Sequence, residues 1–154
     1  MTIIECPPES AVRRLLEEAE LPTSDITPEK LKTFFAYESD GELQGVVGLE
    51  LYGTVGLLRS LVVSPRKRSM GLGSALVAYA EGVAQANGIV CLYLLTMTAE
   101  HFFRRLGYET VSREAAPPEI IATSEFSDIC PVSSTFMAKR LSDNLKVGVR
   151  VGPM

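Results

Sequence analysis

Residues 57–77, LLRSLVVSPRKRSMGLGSALV, constrain the chain more than any other stretch. Leu57, Leu58, Leu61, Val62 and Val63 are branched apolar residues suited to a buried strand. Pro65 ends that strand, and Arg66, Lys67 and Arg68 add a local positive charge. Ser69 and Met70 then lead into Gly71-Leu72-Gly73-Ser74, where a helix opens. The first N–H groups of a helix lack an internal acceptor, and the helix dipole is positive at that end. Glycines there admit a phosphate close to the donors. The stretch therefore describes an anion cradle between a strand and a helix. It is not a Walker loop, because no Gly-Lys-Ser/Thr follows at the required place. It also lacks the third glycine of a dinucleotide fingerprint.

Around this stretch the chain alternates strands and helices. A strand is expected over 2–6, then a helix over 10–19 capped by Ser10, with Val12, Leu15, Leu16 and Ala19 on one face. Thr27-Pro28 opens a short helix. Strands over 34–38 and 43–51 flank the hairpin signal Asp40-Gly41. After the cradle, Leu72, Leu76, Tyr79, Ala80 and Val83 mark a helix stopped by Asn87-Gly88. Residues 89–95 are almost wholly apolar, as in a strand buried on both faces. A helix over 99–106, a strand over 108–113, one or two helical turns over 119–126 and a strand over 136–141 complete the order. One domain over 1–141 is expected, with a tail over 142–154 that carries no apolar periodicity.

Composition narrows the function. The net charge of −4 argues against a nucleic-acid partner, so the basic run is a local feature. No apolar run has the length of a membrane span and the first residues are no signal peptide, so no membrane partner and a cytoplasmic location are expected. Cys6, Cys91 and Cys130 are odd in number and widely spaced, which favours reduced thiols. With His101 the sole histidine, no metal site is expected.

The run Leu61-Val62-Val63-Ser64-Pro65 followed by Arg68-x-x-Gly71-x-Gly73 resembles the acyl-CoA pyrophosphate loop of the GNAT N-acetyltransferases. A second segment, Ala99-x-x-Phe102-Phe103-x-x-Leu106-Gly107-Tyr108, is similar to that family's later helix. The resemblance covers residues 2 to about 141 and implies the α/β acyl-CoA N-acyltransferase fold: a central mixed, mostly antiparallel sheet flanked by helices and splayed after its fourth strand. It implies acetyl-CoA as cosubstrate and a small-molecule amine as acceptor. The backbone of Leu61, Val62 and Val63 would pair with the pantetheine arm. Amides from Arg68 through Ser69, Met70, Gly71, Leu72 and Gly73 to Ser74 would hold the diphosphate, with Arg66 supplying charge and the Ser74 hydroxyl a further donor. Members of the family often form homodimers through their last strands; this sequence leaves that open.

The familiar proton donor is absent. Many members carry tyrosine where this chain has Phe103, and the common asparagine of that segment is replaced by Thr96. Tyr93, Tyr108, His101 or water remain as substitutes, as does departure of the thiolate unprotonated. Arg59 stands between leucines, which is unusual in a buried strand. It is either ion-paired, with Glu50 the natural partner, or a clamp for an acidic substrate. Glu50 is correspondingly a structural partner or a base. Strand parity puts Leu57, Arg59, Leu61 and Val63 on one face and Leu58, Ser60 and Val62 on the other.

The segment over 123–134, with GVVGLELYG, LLRSLVV and LYLLT, resembles the arsenic-resistance N-acetyltransferases, a GNAT subgroup whose best-described members acetylate the amine of arsinothricin. That resemblance implies detoxification of an arsenical or phosphinic amino acid. Cys130 would line the pocket or fill a small buried space. Two other readings compete with the small-molecule enzyme: a non-catalytic acyl-CoA-binding or sensing domain, motivated by Phe103, and a protein or peptide N-acetyltransferase.

Overall fold

Seven strands lie side by side in the order β1-β2-β3-β4-β5-β7-β6 in a computed structural model of the chain, which describes residues 2–68, 70–129 and 133–141. The strands are β1 (Thr2–Glu5), β2 (Phe34–Ser39), β3 (Glu42–Tyr52), β4 (Val55–Val63), β5 (Cys91–Thr96), β6 (Glu109–Thr110) and β7 (Thr135–Arg140). The helices are α1 (Glu9–Glu18), α2 (Pro28–Leu31), α3 (Leu72–Ala86), α4 (Glu100–Arg105) and α5 (Pro118–Ile121). The sheet is mixed. β1–β2, β2–β3, β5–β7 and β6–β7 are antiparallel, and β4–β5 is parallel. The parallel register joins Val55, Gly56 and Leu57 to Cys91, Leu92 and Tyr93.

Contacts divide the chain into two compact units. The first comprises Met1–Glu50 and Leu58–Ala80. One core within it gathers Val12 and Leu16 of α1, Leu31 of α2, Phe34 and Ala36 of β2, Val46 of β3 and Val62 of β4. The expected amphipathic face of α1 is thus the buried one, although its cap lies two residues earlier than read. Pro8, with no side-chain bond, stands at the cap in place of Ser10. Thr27 does cap α2, its hydroxyl accepting from the Lys30 amide at 3.2 Å. The β2–β3 hairpin turns through Asp40 (φ 55°) and Gly41 (φ 77°), the paired left-handed geometry that an Asp-Gly loop adopts.

The second unit comprises Leu51–Leu57 and Glu81–Met154. One of its cores joins Leu57, Ala116, Ile120 and Phe136, with Tyr93, Leu95 and Phe126 packed against them. Two strands start later than the sequence suggested, for one shared reason. At the end of α3, Gly88 takes φ 83° and the Ile89 amide donates to the Ala84 carbonyl at 3.0 Å. At the end of α4, Gly107 takes φ 102° and the Tyr108 amide donates to the Phe103 carbonyl at 3.1 Å. In both, the apolar residue after the glycine closes the helix cap and is unavailable to open a strand. β5 therefore begins at Cys91, and β6 shrinks to two residues. Nor is β5 buried on both faces: Leu92 and Leu94 are buried while Cys91, Tyr93 and Leu95 are half-buried. The tail over 142–154, Ser69 and Cys130 lie outside the described residues.

Candidate active site

β4 carries an irregularity that the sequence does not announce. Ser60 sits in mid-strand at φ 60°, a left-handed conformation that a serine adopts at some cost. Such a residue breaks the alternation of side chains. Arg59 lies over the Phe34 ring at 5.9 Å, and Phe34 shares a core with Val62. Arg59 and Val62 therefore point to the same side, not to opposite sides as parity predicted, because the kink at Ser60 intervenes.

The Arg59 side chain is 0% exposed and held by carboxylates of its own chain. Its Nη1 donates to Asp25 Oδ2 at 2.5 Å and to Glu50 Oε2 at 2.8 Å; Nη2 donates to Asp25 Oδ1 at 2.8 Å. Its Nε donates to Ser60 Oγ at 3.0 Å. Lys30 of α2 completes the group, 2.9 Å from Asp25 and 3.4 Å from Glu50. The expected Arg59–Glu50 pair is present, and Asp25 and Lys30 are additions the sequence reading missed. Asp25 belongs to a segment held from behind by Arg13, which donates to the carbonyls of Thr23 and Ile26 at 3.1 and 3.0 Å. A burial effect pushes the Asp25 carboxyl up, yet hydrogen bonds from Arg59 and Lys30, with their charges, outweigh it and hold the group at about 2.

At the other end of β4 the chain forms the loop read as an anion cradle. The Ser64 amide donates to the Gln44 carbonyl at 2.8 Å and tethers the strand end to β3. A 3-10 turn, Pro65–Lys67, follows, and Arg68 folds back so that its Nε donates to the Val63 carbonyl at 3.2 Å. Arg66, Arg68, Met70 and Ser74 are exposed. Gly71 takes φ 79° and its carbonyl accepts from the Ala75 amide at 3.1 Å, so it stands at the mouth of α3. A side chain at Gly71 would meet nothing within 4 Å, so the glycine is required there by its backbone angle and leaves open space above the helix start. The amides of Leu72, Gly73 and Ser74 occupy the first turn, where helix geometry supplies no acceptor. Leu72 points inward and is buried, which anchors the turn.

The remaining candidates belong to the second unit. Tyr93 stacks on Phe136 with centroids 5.5 Å apart, and burial, then the neighbouring Cys91 sulfur, pushes its hydroxyl up to about 12. Phe103 is buried on α4, edge-on to Phe102 and Tyr108. Tyr108 is buried and donates to Glu81 Oε2 at 2.8 Å; burial and the Glu81 charge hold its proton strongly. Lys139 binds the same Glu81 carboxylate at 3.1 Å and the Leu106 carbonyl at 2.9 Å. This Glu81–Tyr108–Lys139 group escaped the sequence reading, since its members are far apart in the chain. The Thr96 hydroxyl accepts from the Ala99 amide at 3.0 Å and so caps the turn into α4, while His101 is exposed on that helix. Cys6 and Cys91 are free thiols, and among the described residues no three acidic, histidine or cysteine side chains gather as a metal site would need.

Known proteins match this architecture. An uncharacterized N-acetyltransferase of Chlorobaculum tepidum is 34% identical over 94 residues, 60% of this chain and 59% of that protein. An amino-acid acetyltransferase of Ectopseudomonas mendocina is 40% identical over 62 residues, 40% of this chain and 14% of its own. The chain thus spans less than two thirds of the length of each of these relatives. Among solved structures, N-acetylglutamate synthase of Neisseria gonorrhoeae, complexed with coenzyme A and N-acetyl-glutamate, superposes with a TM-score of 0.76 at 23% identity over 91% of this chain and 35% of that one. The fold is therefore the acyl-CoA N-acyltransferase fold. The model of the acetyltransferase (GNAT) family matches residues 3–108, from β1 through the cradle to the end of α4. The chain belongs to the GNAT acetyltransferase family.

Proposed function

We propose that residues 1–141 form one acetyl-CoA-dependent N-acetyltransferase domain that acetylates the amine of a small amino acid. The observation that carries this reading is the junction of β4 and α3: a strand end, a basic turn and a helix mouth held open by Gly71 at φ 79°. A diphosphate there would accept from the amides between Arg68 and Ser74, Ser69 included, with Arg66 and Arg68 adding charge. Leu61 and Val63 would pair with the pantetheine arm through their backbone groups. The free amine would attack the thioester carbonyl; the C–S bond would break and the thiolate would take up a proton. An amino-acid acceptor is supported by the Ectopseudomonas relative's name and by the N-acetyl-glutamate bound in the Neisseria enzyme.

Within this reading Tyr93 is a hydrogen-bond donor and not the acid. Its proton, pushed up to about 12 by burial and by Cys91, is held above the range in which a thiol gives up its own. The thiolate would leave unprotonated and take its proton from bulk solvent afterwards. Arg59 and Glu50 act by shaping β4, since each is spent on the other and on Asp25 and Lys30.

The experiment is thiol release from acetyl-CoA with a panel of amino acids, arsinothricin and phosphinothricin, and lysine peptides. Turnover with free amino acids is expected. Preference for the arsenical would place the chain in the arsenic-resistance subgroup, and preference for peptides would make it a protein acetyltransferase. Tight coenzyme A binding with no turnover on any amine would leave the acyl-CoA sensor that Phe103 suggested. The same reading takes the enzyme as cytoplasmic and allows a homodimer; among the described residues no helix is long and apolar enough to cross a membrane.

A further inference from the structure

We propose that the cleft between the β2–β3 hairpin and the turn after β4 is a small-molecule site in its own right, and that it takes a free polar amino acid as the zwitterion. The cleft holds about 240 Å3 and lies within the first unit, lined by Ser39, Asp40, Glu42, Gln44, Arg66 and Lys67. That volume is below the roughly 300–1,000 Å3 of pockets that hold drug-sized ligands, and none of the six residues is apolar. Its chemistry therefore suits a small polar guest. Gln44 is the key residue. It is 7% exposed, and its carbonyl is taken by the Ser64 amide at 2.8 Å. Its side-chain amide has no hydrogen-bond partner among the described residues, a state that burial disfavours. The backbone explains how it comes to be there. The register of β2 on β3 passes from Tyr37↔Gly45 to Glu38↔Leu43, so Gln44 is the extra residue of a bulge and faces no residue of β2. A bulge re-aims a side chain out of the strand's alternation.

The charges around Gln44 select the guest. Asp40 and Glu42 come from the hairpin, Arg66 and Lys67 from the turn, and among the described residues none of these four side chains is in an ion pair or a hydrogen bond. Two carboxylates and two cations thus line one cleft without meeting across it. A phosphate would have to lie against Asp40 and Glu42, and a metal ion against Arg66 and Lys67. A zwitterion opposes each pair: its ammonium faces the hairpin carboxylates and its carboxylate faces the cations of the turn. The Gln44 carboxamide can serve both ends, donating to the carboxylate and accepting from the ammonium. Asp40, Glu42 and Arg66 are exposed, so salt screens their pull and the buried amide supplies the selectivity. Binding there needs neither CoA nor turnover.

The test is an NMR titration of the isotope-labelled full chain, without CoA, with L-alanine and with L-glutamine. Alaninamide, which lacks the carboxylate, N-acetyl-alanine, which lacks the ammonium, and inorganic phosphate are titrated beside them. The side-chain amide signals of Gln44, identified by their absence from Gln44→Leu, should shift saturably with either amino acid, together with the backbone amides of Asp40 and Lys67. Each of the three comparison compounds should bind at least tenfold more weakly. Gln44→Leu should lose at least tenfold in amino-acid affinity, read at the same backbone amides. Without ligand it should melt no lower than the wild type, since the exchange removes a buried amide that has no partner. Should that variant not fold, Lys67→Met should cost at least threefold in the same affinity, and an unchanged affinity overturns the site. No shift with either amino acid, or shifts confined to other parts of the chain, overturns it as well. Shifts with phosphate and not with the amino acids overturn the zwitterion and leave an anion seat. Equal binding of alaninamide or N-acetyl-alanine overturns recognition at both ends.

Discussion

Arg59 and Asp25 grip each other through two hydrogen bonds, Nη1 to Oδ2 at 2.5 Å and Nη2 to Oδ1 at 2.8 Å, across 34 residues of chain. The pair ties the segment between α1 and α2 to β4, and Glu50 and Lys30 extend it.

Acid stability should follow from this pair. Asp25 sits at about 2 in the folded chain and near the usual 3.9 when unfolded. A depressed folded value stabilises the native state above the unfolded pKa, and that stability is lost as pH falls through the folded one. Urea unfolding should show the wild type losing about 2 kcal/mol more than Asp25→Asn between pH 5 and pH 2, most of it below roughly pH 4. Parallel curves would contradict the assignment.

Arg59→Met should destabilise by roughly 3–5 kcal/mol, because it takes a buried guanidinium partner from both Asp25 and Glu50. Chemical denaturation checks it. A loss below about 1 kcal/mol would show that the group is not a structural unit.

Glu20 closes α1 at φ 61°, and the Leu21 amide donates to the Leu16 carbonyl at 2.9 Å, as at the two glycine-ended helices. A left-handed glutamate carries a backbone cost of roughly 1–2 kcal/mol, partly offset by the greater unfolded-state entropy of glycine. Glu20→Gly should therefore stabilise by about 0.5–1 kcal/mol in equilibrium unfolding.

Tyr93→Phe keeps the stacking on Phe136 and removes the hydroxyl. With its proton held to about 12, Tyr93 does not ionise in any ordinary assay, so the variant should lose less than tenfold in kcat and keep the wild-type pH profile below about pH 10. A loss of a hundredfold or more, with a limb of the profile removed, would make it the acid after all.

Much of this architecture is legible in the chain, because apolar periodicity and glycine stops are local signals. The cradle could be read from Pro65, the basic run and Gly71 with Gly73, since each sets its own backbone or charge. What escaped was non-local. Nothing near Asp25 says that Arg59 will find it, and only the five N–H donors of a buried guanidinium, more than one bidentate carboxylate satisfies, hint at a second partner. The kink at Ser60 also gives no local sign, because serine is not a residue that favours a left-handed angle. The late starts of β5 and β6 came from reading Ile89 and Tyr108 as strand residues when the helix caps claim them.

The central claim is that the mouth of α3 binds the diphosphate of acetyl-CoA, and calorimetric titration of coenzyme A into the wild type and Gly71→Asp tests it most directly. Aspartate fits the open space at Gly71 and tolerates its φ of 79° better than most residues, so the variant should fold while placing a carboxylate where a phosphate belongs. The account predicts saturable binding of one coenzyme A per chain by the wild type and an affinity at least tenfold lower in the variant, about 1.4 kcal/mol. Equal affinity in the two proteins, or no binding by the wild type, would contradict it.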